Sequence, residues 1–212
     1  MIIDYNKTAS FDVDAQKGFT PLCPGELPVS EGDTIAPALN RQAKLACTRV
    51  GSKDWHPSNA VWIADSNNPQ FSPVEGSNVD IRWKAHCIGG TKGSELLEDL
   101  PHPSKYNFFV WKGMEPDMHP YGACYHDLAG KLSTGVIEFL KLRGIETVIV
   151  GGLATDYCVK RTALQLKKGG FDVIVNLEAC RGISAQTTIA AIEEMKKADI
   201  NVIDNPDDLM LK

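Results

Sequence analysis

The stretch Thr147-Val148-Ile149-Val150-Gly151-Gly152-Leu153-Ala154-Thr155-Asp156-Tyr157-Cys158-Val159 constrains the fold more than any other part of the chain. Its opening run is rich in β-branched residues, which suits a strand buried on both faces, as in a parallel sheet covered on each side by helices. Gly151 and Gly152 permit a sharp bend, and Cys158, Thr162 and Leu166 then recur with a helical period. A buried strand therefore turns into a helix over a few small residues, with Cys158 expected at the helix N-terminus. There the free N–H groups and the positive end of the helix dipole favour a thiolate, the form of cysteine that attacks carbonyls. The same N–H groups could hold an oxyanion. The competing reading is a core cysteine, because free cysteine is among the most buried residue types.

The remaining chain repeats the alternation. Residues 8–16 begin as a short strand-like run and end in acids, and 45–50, 106–111, 171–177 and 200–203 read as strands. Between them, Ile35, Ala38, Leu39 and Ala43 mark a helix with Pro37 in its first turn and Asp33 or Thr34 as cap. Leu132, Val136, Ile137 and Leu140 mark a second that stops near Arg143-Gly144, and residues 187–195 a third. Strands alternating with helices predict an α/β fold, a parallel sheet inside a three-layer α/β/α sandwich with right-handed crossovers. At 212 residues one domain over 1–212 is expected.

Composition removes several function classes. A net charge of −5 with scattered Lys and Arg offers no basic stripe for nucleic acid or an anionic membrane. No apolar run approaches the roughly 20 residues of a membrane span, and Met1-Ile2-Ile3-Asp4-Tyr5-Asn6-Lys7 lacks the apolar core of a secretion signal. A cytoplasmic protein is expected. Six cysteines spread over positions 23 to 180 do not resemble a disulfide framework and are expected to be reduced.

Chemistry-bearing residues collect where strands end. Asp14 lies at the C-terminal end of the strand-like run at 8–16, and in open α/β sheets sites form in the crevice beyond the carboxyl ends of strands. Asp12 and Asp14 would share a face if that strand continued, so one of them should be bent away or hydrogen-bonded. Lys112 ends the aromatic strand at 106–111. In Gly51-Ser52-Lys53-Asp54-Trp55-His56-Pro57 an extended backbone points Asp54 and His56 the same way, so carboxylate and imidazole could share a metal, with His86 as a third ligand. Residues 58–80 have no period and are rich in Asn, Pro, Ser and Gly, as expected of a loop packed over a site.

Taken in order, Val13-Asp14-Ala15-Gln16-Lys17-Gly18-Phe19, Ser52-Lys53-Asp54-Trp55-His56-Pro57, Trp83-Lys84-Ala85-His86-Cys87, Trp111-Lys112-Gly113 and Gly152-Leu153-Ala154-Thr155-Asp156-Tyr157-Cys158-Val159 resemble the isochorismatase-like cysteine hydrolases. Within them the chain looks most like the nicotinamidases, also called pyrazinamidases. The resemblance implies the isochorismatase-like hydrolase fold and hydrolysis of nicotinamide, its small-molecule substrate, to nicotinate and ammonia for NAD salvage. It implies Asp14, Lys112 and Cys158 as catalytic residues and the backbone N–H groups of Ala154 and Cys158 as oxyanion donors. One divalent metal on Asp54, His56 and His86 is implied, zinc first and iron or manganese as alternatives. Phe19, Trp83 and Tyr121 are expected to position the substrate ring, and the Leu153–Ala154 peptide to be cis. The family often carries a further histidine soon after its Asp-x-His, whereas Pro57-Ser58-Asn59-Ala60-Val61-Trp62 has none. Water or a loop acid such as Asp65, Glu75 or Asp80 is expected in its place. Metal-independent carbamoyl-amide hydrolases of the same fold, or a catalytically silent binding homologue, are the alternatives. Whether the protein forms a homo-oligomer is left open.

Overall fold

The computed structural model describes residues 1–212. In chain order its elements are β1 Ile2–Ile3, β2 Thr8–Val13, α1 Ala36–Ala43, β3 Thr48–Asp54, β4 Phe108–Lys112, α2 Val136–Leu142, β5 Thr147–Leu153, α3 Lys160–Lys168, β6 Asp172–Arg181, α4 Ala185–Lys197, β7 Asn201–Ile203 and β8 Met210–Leu211. Six strands form one sheet in the order β4-β3-β2-β5-β6-β7, and every pairing is parallel. The expected α/β sandwich is present. The sequence reading did not include the two-residue pair of β1 with β8, which ties the chain ends together.

One face of the sheet is covered by α2, α3 and α4, whose Val136, Leu140, Ala163, Leu166 and Met195 pack with Phe11, Val50, Val150 and Val175. On the other face α1 lays Ile35, Ala38 and Leu39 against Leu153 and Ala179. Burying side chains of this kind stabilises by about 1.5–3 kcal/mol each, which is why uninterrupted Val and Ile runs mark the central strands.

Several boundaries differ from the sequence reading for local reasons. Strand β3 starts at Thr48 and runs on to Asp54, because pairing with β2 and β4 holds residues whose own propensity is weak. Helix α1 takes no side-chain cap from Asp33 or Thr34; both lie in a preceding 3₁₀ turn, Gly32–Thr34, and Ile35 is the N-cap. Leu132 lies outside α2 and is exposed. All six cysteines are free thiols, and no helix is long and apolar enough to cross a membrane.

The topology positions the site. From β2 the chain builds outward through β3 to β4, then returns to the other side of β2 to lay down β5, β6 and β7. The carboxyl ends of β2 and β5 therefore flank the point where strand order reverses, the crevice in which open α/β sheets bind ligands.

Candidate active site

Four parallel strands deliver their last residues to this crevice. Beyond β2 the backbone turns at Asp14 with φ of 44°, a left-handed conformation that Asp tolerates better than most residues, and its N–H donates to Ser52 O at 3.2 Å. The turn separates Asp14 from Asp12, as the sequence required. Asp12 stays below, gripped by Arg49 Nη2 at 2.6 Å and Tyr106 Oη at 2.8 Å. Asp54 and Lys112 are register partners at the ends of β3 and β4.

Lys112 is fully buried, and its Nζ holds the group together. It lies 3.1 Å from Asp14 Oδ2, donates to Asp54 Oδ1 and to Pro120 O at 3.1 Å, and reaches Cys158 Sγ at 3.7 Å. Ser52 Oγ donates to Asp14 Oδ1 at 2.7 Å. Burial pushes the Asp14 carboxyl up to about 6 against the pull of the Lys112 ammonium, with Asp54 adding to the rise. Burial disfavours ionised Asp54 as well, but the Lys112 ammonium overrides it and holds that carboxyl well below the usual range. Burial likewise works against the Lys112 ammonium, yet Asp14, Asp54 and Cys158 hold its pKa well above the ordinary value. The pairing of Lys112 with Asp54 was not foreseen from sequence, where Asp54 was read only as a metal ligand.

Cys158 follows the strand β5 through the expected cis Leu153–Ala154 peptide. Gly152 makes the approach possible: its φ is 138°, and a Cβ there would lie 1.9 Å from Val13 O. The helix does not begin at Cys158. A wide turn, Thr155–Val159, precedes α3, with Tyr157 N and Val159 N both donating to Ala154 O at 3.1 Å. Cys158 therefore lies within the first turn. Asp156 ties this turn to the segment before α4, accepting from Ile183 N at 3.1 Å and from Thr187 Oγ1. The expectation of a resting thiolate is corrected: burial pushes the Cys158 thiol well above its ordinary value, and Lys112 only partly offsets it. A protonated thiol beside a carboxylate base is the resting arrangement.

Next to this group three buried imidazoles, His56, His86 and His119, bring one nitrogen each within 4.8 Å of the others. His56 Nδ1 meets Gly113 O at 2.9 Å and His86 Nδ1 meets Lys84 O at 2.6 Å. Carbonyls only accept, so both Nδ1 atoms carry a proton, and in the neutral ring it is Nε2 that offers a lone pair. His56 Nε2 and His119 Nδ1 are buried without a hydrogen-bond partner, which suits a cation-binding cluster. Asp54 Oδ2 lies 3.4 Å from His56 Nε2 at the edge of the cluster. A second convergence, Asp14, Asp54 and Cys158, already surrounds the Lys112 ammonium. None of the loop acids fills the gap in the motif. Asp65 accepts from Asn67 N and Asn68 N, Asp80 accepts from Tyr121 Oη at 2.8 Å, and Glu75 is exposed. The loop does pack over the site, through Trp62, whose ring lies 4.6 Å from His56, 5.3 Å from His86 and 4.3 Å from His119.

A small, mostly apolar cleft opens onto Cys158. Phe19, Trp83 and Tyr121 all line it, as expected, and Leu27, Tyr157 and Ile183 join them unforeseen. Trp83 Nε1 donates to Tyr121 Oη at 3.2 Å, and the Trp83 ring meets Tyr157 edge-on at 5.0 Å. Ile183 lies in the short segment Gly182-Ile183-Ser184 between β6 and α4.

The fold defines the class: a parallel α/β protein with its crevice at a strand-order reversal. The family model of the isochorismatase domain matches residues 8–207, and the chain belongs to that family. It is 34% identical to a nicotinamidase of Acinetobacter baylyi over 203 residues, 93% of this chain and 92% of that one. The solved nicotinamidase-pyrazinamidase of Acinetobacter baumanii superposes with a TM-score of 0.86 at 34% identity, covering 95% of this chain and 98% of its own. A pyrazinamidase of Pyrococcus horikoshii in complex with zinc gives a TM-score of 0.75 at 31% identity over 93% of this chain and 98% of its own.

Proposed function

We propose that this chain, acting as one domain over residues 1–212, hydrolyses nicotinamide to nicotinate and ammonia in the cytoplasm and accepts pyrazinamide as an analogue. The observation that carries the reading is Lys112 Nζ in contact with Asp14, Asp54 and Cys158 at the floor of a small aromatic cleft. Similarity to nicotinamidases over nearly the whole chain supports the substrate. The imidazole cluster beside the cleft favours this substrate over the carbamoyl amides of metal-independent relatives.

In the proposed reaction Cys158 Sγ attacks the carboxamide carbon while Asp14 takes the thiol proton, so the thiolate is formed only as it is consumed. The Lys112 ammonium stabilises the negative charge on both partners throughout. The carbonyl electron pair moves onto oxygen, which the backbone N–H groups of Ala154 and Cys158 receive. When the intermediate collapses the C–N bond breaks, and Asp14 returns its proton to the departing amine to give ammonia. A water then loses a proton to Asp14 and attacks the thioester. The C–S bond breaks, nicotinate is released, and Asp14 reprotonates Cys158. Phe19, Trp83 and Tyr121 hold the ring so that the carboxamide meets the sulfur in reactive geometry.

Asp54, His56 and His86 would hold a divalent ion, zinc first, with iron or manganese also compatible with one oxygen and two imidazoles. Bound there, such an ion supplies Lewis acidity toward a pyridine nitrogen, an orienting contact for the substrate.

Ammonia release from nicotinamide by the pure protein, supplied in turn with zinc, iron and manganese, tests the proposal. Turnover that vanishes in folded Cys158→Ala is expected. No release with any metal would overturn the enzyme reading, and turnover of N-carbamoyl amides in its place would transfer the chain to that chemistry.

A further inference from the structure

We propose that His119 is the third imidazole of the metal site, so that one ion joins the loop after β4 to the segment carrying His56 and His86. This rests on the metal reading above and goes beyond it, since His119 lies outside every motif that pointed to a metal. After His56, where a further histidine would be looked for, the chain carries Ala60 and Trp62, and neither can ligate. The imidazole comes from the opposite side of the crevice.

Three observations carry the assignment. First, His119 places a nitrogen within 4.8 Å of those of His56 and His86, and all three side chains are buried. Second, the tautomers are set: with Gly113 O and Lys84 O occupying the Nδ1 protons, His56 and His86 aim lone pairs at one another's neighbourhood. A buried region where lone pairs converge is satisfied by a cation and by little else. Third, His119 Nδ1 is buried with no partner, although the ring is firmly held: its backbone N–H donates to Asn78 O at 2.8 Å and its ring packs on Trp62 at 4.3 Å. Ordinary core packing would leave that nitrogen and His56 Nε2 stranded together.

The assignment has a structural consequence. His119 is followed by Pro120, whose carbonyl accepts from Lys112 Nζ, and by Tyr121, which forms a wall of the cleft. An ion held through His119 therefore fixes the one loop that touches both the Lys112 ammonium and the substrate ring.

The test uses the full chain, stripped of metal by chelator and dialysis. Zn²⁺ binding is measured by calorimetry and Co²⁺ binding by its visible absorption, in wild type, His119→Ala, His119→Phe and His86→Ala. The expected result is one ion per wild-type chain. Both His119 variants should bind at least about 100-fold more weakly, beyond the roughly 10–100-fold seen on losing a group that only supports a ligand, with an altered Co²⁺ band. Phe keeps the ring packed on Trp62 and removes only the nitrogens, so it answers the question if the Ala variant fails to fold. Wild-type affinity and an unchanged Co²⁺ band in His119→Phe, with binding lost in His86→Ala, would overturn the role of His119 and leave the metal reading standing. A wild-type chain that binds neither ion would overturn both.

Discussion

Ser52→Ala is the mildest change that isolates the base. Ser52 and Asp14 are both buried, and the serine hydroxyl makes a 2.7 Å hydrogen bond to Asp14 Oδ1 without touching Cys158 or Lys112. With that bond in place the Asp14 carboxyl stands at about 6, raised by burial and restrained by Lys112 and by Ser52 itself. Only the ionised carboxylate can take the thiol proton, so kcat/KM should fall tenfold per pH unit below that value. A buried hydrogen bond to a charged group contributes about 1.5–3 kcal/mol, and at 1.36 kcal/mol per unit its loss raises the carboxyl by about 1–2 units. The sign is clear: a higher pKa leaves less base at neutral pH. At pH 7 activity should drop about two- to fifteenfold, and above about pH 9 it should return close to wild type. Ammonia release measured from pH 5 to 9 on both proteins decides it. An unmoved acid limb, or one constant loss at every pH, would refute the assignment of Asp14 as a base tuned by its hydroxyl donor.

Three other changes test the surroundings. Lys112→Met leaves Asp14 and Asp54 buried without their cation, so urea unfolding should show a loss of about 3–5 kcal/mol, and wild-type stability would contradict the charge balance described here. Gly113→Ala puts a methyl group 2.3 Å from His56 Cε1 at a residue with φ of 67°, and metal analysis should find the ion lost while Cys158 still alkylates. Trp83→Phe keeps most of the packing with Ala60, Trp62 and Val79 but removes the Nε1 donor to Tyr121 Oη, so KM for nicotinamide should rise severalfold with little change in melting temperature. A melting loss at constant KM would make Trp83 a core residue only.

What the sequence determined by itself was everything written in short-range pattern. A β-branched run ending in small residues specifies a buried strand and a turn, and repeated alternation with helical periods specifies the parallel sandwich. Because every strand of such a sheet points the same way, residues at strand ends share a crevice, which grouped Asp14, Lys112 and Cys158, and the resemblance of the motifs around them supplied their roles. Tertiary structure alone decided what depends on distances between remote segments. It set the strand order β4-β3-β2-β5-β6-β7, which brings Lys112 to Asp54 across a register pair and to Cys158 across the crevice. It raised the Cys158 thiol above its ordinary range, since burial depends on neighbours supplied by the whole chain and outweighs the pull of the Lys112 ammonium. It brought His119 to His56 and His86 from a loop with no period and no motif of its own. A periodic pattern reports which face of an element is buried; only the packed chain reports what that face meets.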